Sequence, residues 1–150
     1  MAVRDTPFGA YNFIVELNDG TDASSALGGF SDVSGIGTET TLMEYRQGND
    51  RANRVRKIPG LHKSSDVTLK RGIMGITNFW DWVNATRTNP RLVRNVVIVL
   101  NDEQGNPVMR WRLINARPMK WTGPTLAGKG GSDMAMEELV IASEGFEFVT

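Results

Sequence analysis

The sequence predicts a mainly β fold with one short α-helix, an antiparallel β-sandwich or barrel. Three observations carry that expectation. Several segments alternate apolar and polar residues with a period of two. Turn residues punctuate them at short intervals. Only one stretch has a clear helical period. The chain has 150 residues, the size of one domain, and its apolar share of 40% is enough for a core.

Residues 11–17 (YNFIVEL) form the first expected strand, with Tyr11, Phe13, Val15 and Leu17 on one face and Asn12 and Glu16 on the other. Asn18, Asp19 and Gly20 end it as a turn. Residues 38–46 (TETTLMEYR) are Thr-rich and read as a second strand with a largely polar face. Gln47 to Arg56 has almost nothing to bury and reads as an exposed loop. Val67 and Leu69 point inward from a short strand at 66–71. The helix is expected over 77–86, where Phe79, Trp82 and Val83 follow i, i+3, i+4 spacing. Thr77 or Asn78 can cap it, and Asn89-Pro90 stops it.

Residues 95–100 (NVVIVL) are apolar on both faces, as in a central strand. DEQGNP at 102–107 is a hairpin turn. Met109, Trp111 and Leu113 then oppose Arg110 and Arg112 in a strand over 108–116. Pro118 to Pro124 is expected to break that strand, and 126–132 forms a Gly-rich loop. Residues 133–143 carry helix-favouring residues, with Ser132 as a candidate cap, but Leu139 and Ile141 oppose Glu138 with a period of two. A strand is preferred there and again around Phe146 and Phe148. The total is six to eight strands and one helix.

Net charge is zero, with 17 basic and 17 acidic residues, but the charges are sorted along the chain. Residues 1–45 are net −6, 46–71 net +6, 72–131 net +5 and 132–150 net −5. Opposed blocks of this kind suit a chain complementary to itself. Bulk neutrality disfavours a nucleic-acid binder. No stretch approaches a membrane-spanning length, and the N-terminal residues lack the pattern of a secretory signal.

No catalytic constellation is visible. The absence of Cys removes disulfides and thiolate nucleophiles. A single histidine, His62, leaves no two-His metal site. Glu137 and Glu138 are adjacent on a strand and face opposite ways. Asn84-Ala85-Thr86 fits a glycosylation pattern but falls at the helix end. GPTLAGKG, Gly123 to Gly130, nearly spells a phosphate-binding loop around Lys129. Gly130 stands where a hydroxyl would hold Mg²⁺, so a surface loop is the better reading. The chain is therefore expected to be no enzyme and to need no cofactor or metal. The basic segment Arg46, Arg51, Arg54, Arg56 and Lys57 has no aromatic residue for base stacking. A solvated loop, a protein contact and a nucleic-acid contact remain open for it.

Eight strings occur in order along the chain: FSDVSGIGTE (30–39), EYRQ (44–47), RKIPGLHK (56–63), TLKRG (68–72), WDWV (80–83), GNPVMRW (105–111), NARPMKW (115–121) and EELVIASEG (137–145). Together they resemble the inner tail-tube proteins of contractile phage tails and related contractile injection systems. The resemblance implies a single tail-tube domain over 1–150, a sandwich or barrel of the tail-tube type. It implies a homo-hexamer whose rings stack into a hollow inner tube. The implied partners are a sheath protein outside, baseplate and tube-initiator proteins, and cargo or DNA in the lumen. It further implies assembly in the bacterial cytoplasm and residence in a virion tail or injection particle, without a membrane anchor. The resemblance also places a long basic inter-subunit loop at about 46–63. Arg46, Arg51, Arg54, Arg56 and Lys57 are expected to contact neighbours there, with Ile58 and Leu61 anchoring the loop's end.

Overall fold

The computed structural model describes residues 4–18, 25–26, 30–49, 51–52, 54–73, 75, 77–131 and 133–149. The expected turn at 18–20 and the Ser132 cap fall at least partly outside these residues. Among those described there are ten strands and one helix: β1 (Phe13–Asn18), β2 (Ser25–Ala26), β3 (Asp32–Ser34), β4 (Thr38–Tyr45), β5 (Arg56–Ser64), β6 (Val67–Gly72), α1 (Asn78–Thr88), β7 (Arg94–Asn101), β8 (Pro107–Thr122), β9 (Met136–Ala142) and β10 (Gly145–Val149). All pairings are antiparallel.

The architecture turns on β8. Its first part pairs with β7 on one side and β10 on the other. Its last part, from Arg117 to Thr122, pairs with β9. The chain of neighbours runs β2-β1-β7-β8-β9-β6-β3. Pro118 does not end the strand, contrary to expectation. The register instead slips between Pro118 and Lys120, a bulge that absorbs the missing N–H. Just before it, Asn115 sits at φ 51. Its N–H is met by Asn95 Oδ1 at 3.2 Å, and its Nδ2 donates to Glu144 Oε2 at 2.8 Å. Asparagine tolerates this left-handed geometry better than most residues. The strand thereby crosses from one part of the sheet to the other, as strands do at the corner of a sandwich.

The core is a single cluster with contributions from both parts. Val15, Val96, Ile98 and Leu113 come from β1, β7 and β8; Val67, Leu69, Leu139 and Ile141 come from β6 and β9. Helix α1 adds Phe79 and Trp82, both almost fully buried. Each such side chain contributes ~1.5–3 kcal/mol by leaving water. The period of two explains which residues enter: Val67, Leu69 and Arg71 share one face of β6, and Glu137, Leu139 and Ile141 share one face of β9.

The helix starts one residue later and ends two residues beyond the expected span. Thr77 is at the N-cap but makes no capping bond. Its hydroxyl instead donates to Asp81 Oδ2 at 3.2 Å. The Asn84-Ala85-Thr86 triplet lies inside α1, where the Thr86 hydroxyl donates to the Trp82 carbonyl.

Candidate assembly surface

Strands β3 and β4 follow one another across Gly35–Gly37, and β5 and β6 follow across Ser65–Asp66. Since β3 pairs with β6 and β4 with β5, the four form one antiparallel ribbon with a break in the middle. Ser65 N–H to the Gly37 carbonyl, 3.0 Å, bridges that break. Gly35 has φ +91, and a Cβ there would lie 2.2 Å from the Asp66 carbonyl oxygen. Only glycine allows the two chains to pass so closely.

The two halves of the ribbon meet different fates. β3 and β6 join the main sheet through β9. β4 and β5 form a separate two-stranded sheet. Every residue of β4 is exposed, and β5 is exposed except at Gly60 and Ser64. Eight residues of β4 span about 26 Å at ~3.3 Å each. This hairpin is held by its ladder and by cross-strand pairs. Glu44 faces Lys57, Glu39 faces Lys63, and Met43 faces Ile58. Thr40 Oγ1 and His62 Nδ1 are 2.9 Å apart. A register slip lies between Thr40 and Leu42. Opposite it, a Cβ on Gly60 would stand 2.9 Å from the Thr41 carbonyl oxygen, so the small residue admits the bulge.

The basic segment expected to be a loop over 46–63 is therefore only partly a loop. The connection covers 46–55, and 56–64 is strand β5. Cross-strand partners in β4 hold Arg56, Lys57 and Ile58 in place, which pattern-reading missed because RKIPGLHK alternates poorly and contains Pro and Gly. Pro59 is tolerated because this ribbon has free edges. The structure gathers Arg46, Arg56 and Lys57 at the tip end of the ribbon, with Arg51 and Arg54 in the connection, and all five are exposed. Ile58 and Leu61 lie along β5 and are 43% and 84% exposed. Leu42, Met43 and Tyr45 on β4 are about half exposed. These three were placed on a strand by the sequence but not recognised as part of an uncovered apolar surface.

The Lys129 segment does not form a phosphate cradle. A cradle needs a strand, a glycine-rich loop and a helix N-terminus. Here the loop after β8 leads to strand β9.

One polar pair inside the core went unnoticed in the sequence. Arg71 Nε donates to Glu137 Oε1, and both side chains are nearly inaccessible. Trp121 Nε1 donates to the second carboxylate oxygen at 3.3 Å. The guanidinium lies 3.8 Å from the Phe79 ring centre, so its face is covered as well. The signal was present in the parity of the strands, which puts Arg71 beside Leu69 and Glu137 beside Leu139. On the neighbouring face Lys70 and Glu138, also partners in register, approach only to 3.9 Å and stay more exposed.

Comparison with known proteins places this architecture. The tube component of an extracellular contractile injection system, PVC, solved as a sheath-tube complex in the extended state, is 27% identical. That match covers 97% of this chain and 93% of the other, with a TM-score of 0.81. A chain from the anti-feeding prophage cap, AFP, is 26% identical over 100% of this chain and 95% of the other, with a TM-score of 0.82. The gene transfer agent virion contains a chain of the same fold at 10% identity and a TM-score of 0.66, covering 95% of this chain and 98% of the other. No curated protein sequence matches. Residues 9–147 match the family described as T4-like virus tail tube protein gp19, and the chain belongs to that family.

Proposed function

We propose that this protein is the structural subunit of the inner tube of a contractile tail or injection system. Six copies close into a ring, and rings stack into a hollow conduit. A sheath surrounds the tube, baseplate and initiator proteins start it, and cargo or DNA occupies the lumen when sheath contraction drives the tube into a target. The tube assembles in the bacterial cytoplasm and then resides in a virion tail or an extracellular or cell-associated injection particle. The role is mechanical and calls for no catalysed step.

The family match over 9–147 carries this reading. The hairpin supports the assembly part of it. A two-stranded ribbon without a covering layer is marginal in water, and its free edges invite a partner. A neighbouring subunit supplies one. In this reading Arg46, Arg51, Arg54, Arg56 and Lys57 contact neighbouring copies, and Ile58 and Leu61 seat the hairpin on apolar surface. Each exposed ion pair is worth only ~0–1 kcal/mol, but the contacts repeat around every ring, so their effects multiply.

Negative-stain electron microscopy of concentrated purified protein, with and without a tube initiator, tests the proposal. Six-fold rings or tubes of uniform diameter are expected. A strictly monomeric species under both conditions would overturn it.

A further inference from the structure

The hairpin needs a receiving surface, and three clefts among the described residues are candidates. The first, about 470 Å³, lies between α1 and the end of β8 and carries Arg87 and Lys120. The second, about 890 Å³, is the most apolar, with Phe8, Met109 and Phe148, and its charges are Arg4, Arg110 and Asp102. Both are net positive or nearly so. The third, about 660 Å³, lies between the β8–β9 connection and the ends of β3, β6 and β9. Asp32, Asp133 and Glu138 line it against a single Lys70; its Glu137 is already held by Arg71. Pro124, Met134 and Met136 supply apolar wall, and Met134 is 85% exposed.

The tip of the hairpin has the opposite character. Residues 46–57 hold five basic residues against one acid, Asp50, a net of +4. Glu44 faces Lys57 across the ladder, which leaves the arginines as the excess. Beside them lie Met43, Tyr45 and Ile58, half exposed and able to fill an apolar wall. Of these three clefts, a basic, apolar-flanked projection meets its complement in the third.

Placement on the ribbon decides who binds whom. The tip is one end of the β3–β4/β5–β6 ribbon. Asp32 and Lys70, partners in register at the cleft, mark the other end. A projection and a receptor at opposite ends of one extended ribbon join different molecules, head to tail. Such a heterologous contact does not close on a dimer and propagates instead.

We infer that the acidic, methionine-walled cleft beside Asp32, Asp133 and Glu138 receives the basic β4–β5 hairpin tip of a second copy of this chain. The inference rests on the tube reading above and adds the receiving site. It also assigns a role to Asp133, in the acidic C-terminal block.

A charge-swap experiment tests it in the full chain. One variant carries Arg51→Glu, Arg54→Glu and Arg56→Glu; a second carries Asp32→Arg and Asp133→Arg; a third carries all five. Asp32 and Asp133 are exposed, and circular dichroism verifies the fold of each. Tube mass measured by sedimentation and microscopy is expected to fall at least tenfold in the first two variants. It should return to within about twofold of wild type in the third. Because the natural chain has no Cys, a short bismaleimide on Arg54→Cys/Asp133→Cys tubes should give a ladder of covalent multimers. Normal tubes from the second variant, no recovery in the third, or cross-linked tubes without the ladder would each overturn the inference. If wild-type protein forms tubes while the cleft variant does so too, the receiving site is wrong and the tube reading stands. If wild type never assembles, it is the tube reading that falls.

Discussion

The β6–β9 ladder and the β4–β5 ladder are built from the same kind of antiparallel pairing, yet they occupy opposite environments. In β6 and β9 every second side chain is buried, and Val67, Leu69, Leu139 and Ile141 are wholly inaccessible. In β4 and β5 no apolar side chain is buried, although Leu42, Met43, Ile58 and Leu61 are comparable in kind. Hydrogen-bonded pairing is therefore not what separates structure from surface in this protein. The backbone bonds of both ladders merely replace bonds to water, with a net gain of ~0.5–1.5 kcal/mol each at best. The difference is a second layer. β6 and β9 share the core with α1 and with strands β1 and β7, while β4 and β5 face solvent along most of their length, apart from a contact between β5 and β10. A lone subunit thus keeps its fold in one half of the ribbon and its unmet surface in the other.

The largest break in this contrast should come from the buried charge. Glu137→Ala leaves Arg71 in the core without its carboxylate and deprives Trp121 of an acceptor. A loss of about 3–5 kcal/mol is expected, read as a lower denaturant midpoint with little change in slope. An unchanged midpoint would show that the guanidinium finds another partner or water.

Next comes a matched pair of truncations. Leu69→Ala removes a fully buried side chain and should cost about 2–5 kcal/mol. Leu61→Ala, at 84% exposure, should stay within ~0.5 kcal/mol in the monomer. The same Leu61→Ala change should nevertheless lower tube yield. Equal monomer effects at the two sites would erase the distinction between the ladders.

Limited trypsin digestion sharpens it from another direction. In the lone subunit, cleavage should start after Arg46, Arg51, Arg54, Arg56 or Lys57, because opening there costs little. In assembled tubes these bonds should resist for at least tenfold longer. First cuts at Arg71 or Arg112 instead would mean that the main sheet opens before the hairpin.

The smallest expected effect concerns acid. Backbone N–H bonds from Asn106 and Gln104 hold the Asp102 carboxyl below its ordinary value of 3.8. Its folded value is lowered, so it stabilises the β7–β8 turn above the ordinary value and loses that contribution as pH falls through the lowered one. Glu103, lowered chiefly by its hydrogen bond from Arg4, acts in the same sense. Asp102→Asn should reduce the pH dependence of stability below about pH 4 and leave the hairpin tip unaffected. An identical acid profile for variant and wild type would assign that dependence to other carboxylates.

Most of the strands legible in the sequence have a period of two reinforced by burial, whereas β4 was legible from its Thr-rich composition alone and is wholly exposed. Residues 13–18, 67–72 and the first part of β8 follow their apolar alternation, and 94–101 follows its continuous apolar run. The β9 segment was readable despite helix-favouring composition because Leu139 and Ile141 alternate with Glu138. β5 was not, since its order comes from facing β4 rather than from a buried face. The continuation of β8 past Pro118 was hidden for a similar reason. Proline forbids one hydrogen bond, and only the neighbouring β9 shows that a bulge accommodates it. The basic residues of the proposed assembly surface were visible in the sequence as a charge block. Their exposed apolar companions Leu42, Met43 and Tyr45 were not, because a sequence does not say which strand lacks a covering layer.

The sequence by itself determined the class of fold, the position of the helix, most of the core residues and the sorting of charge. These follow from local periodicity and side-chain chemistry, which act within a few residues. Tertiary structure alone decided that Arg71 meets Glu137 in the core, that β8 serves both parts of the sheet, and that the basic tip and the acidic cleft stand at opposite ends of one ribbon. These depend on which segments become neighbours, and that is set by the packing of strands far apart in the chain.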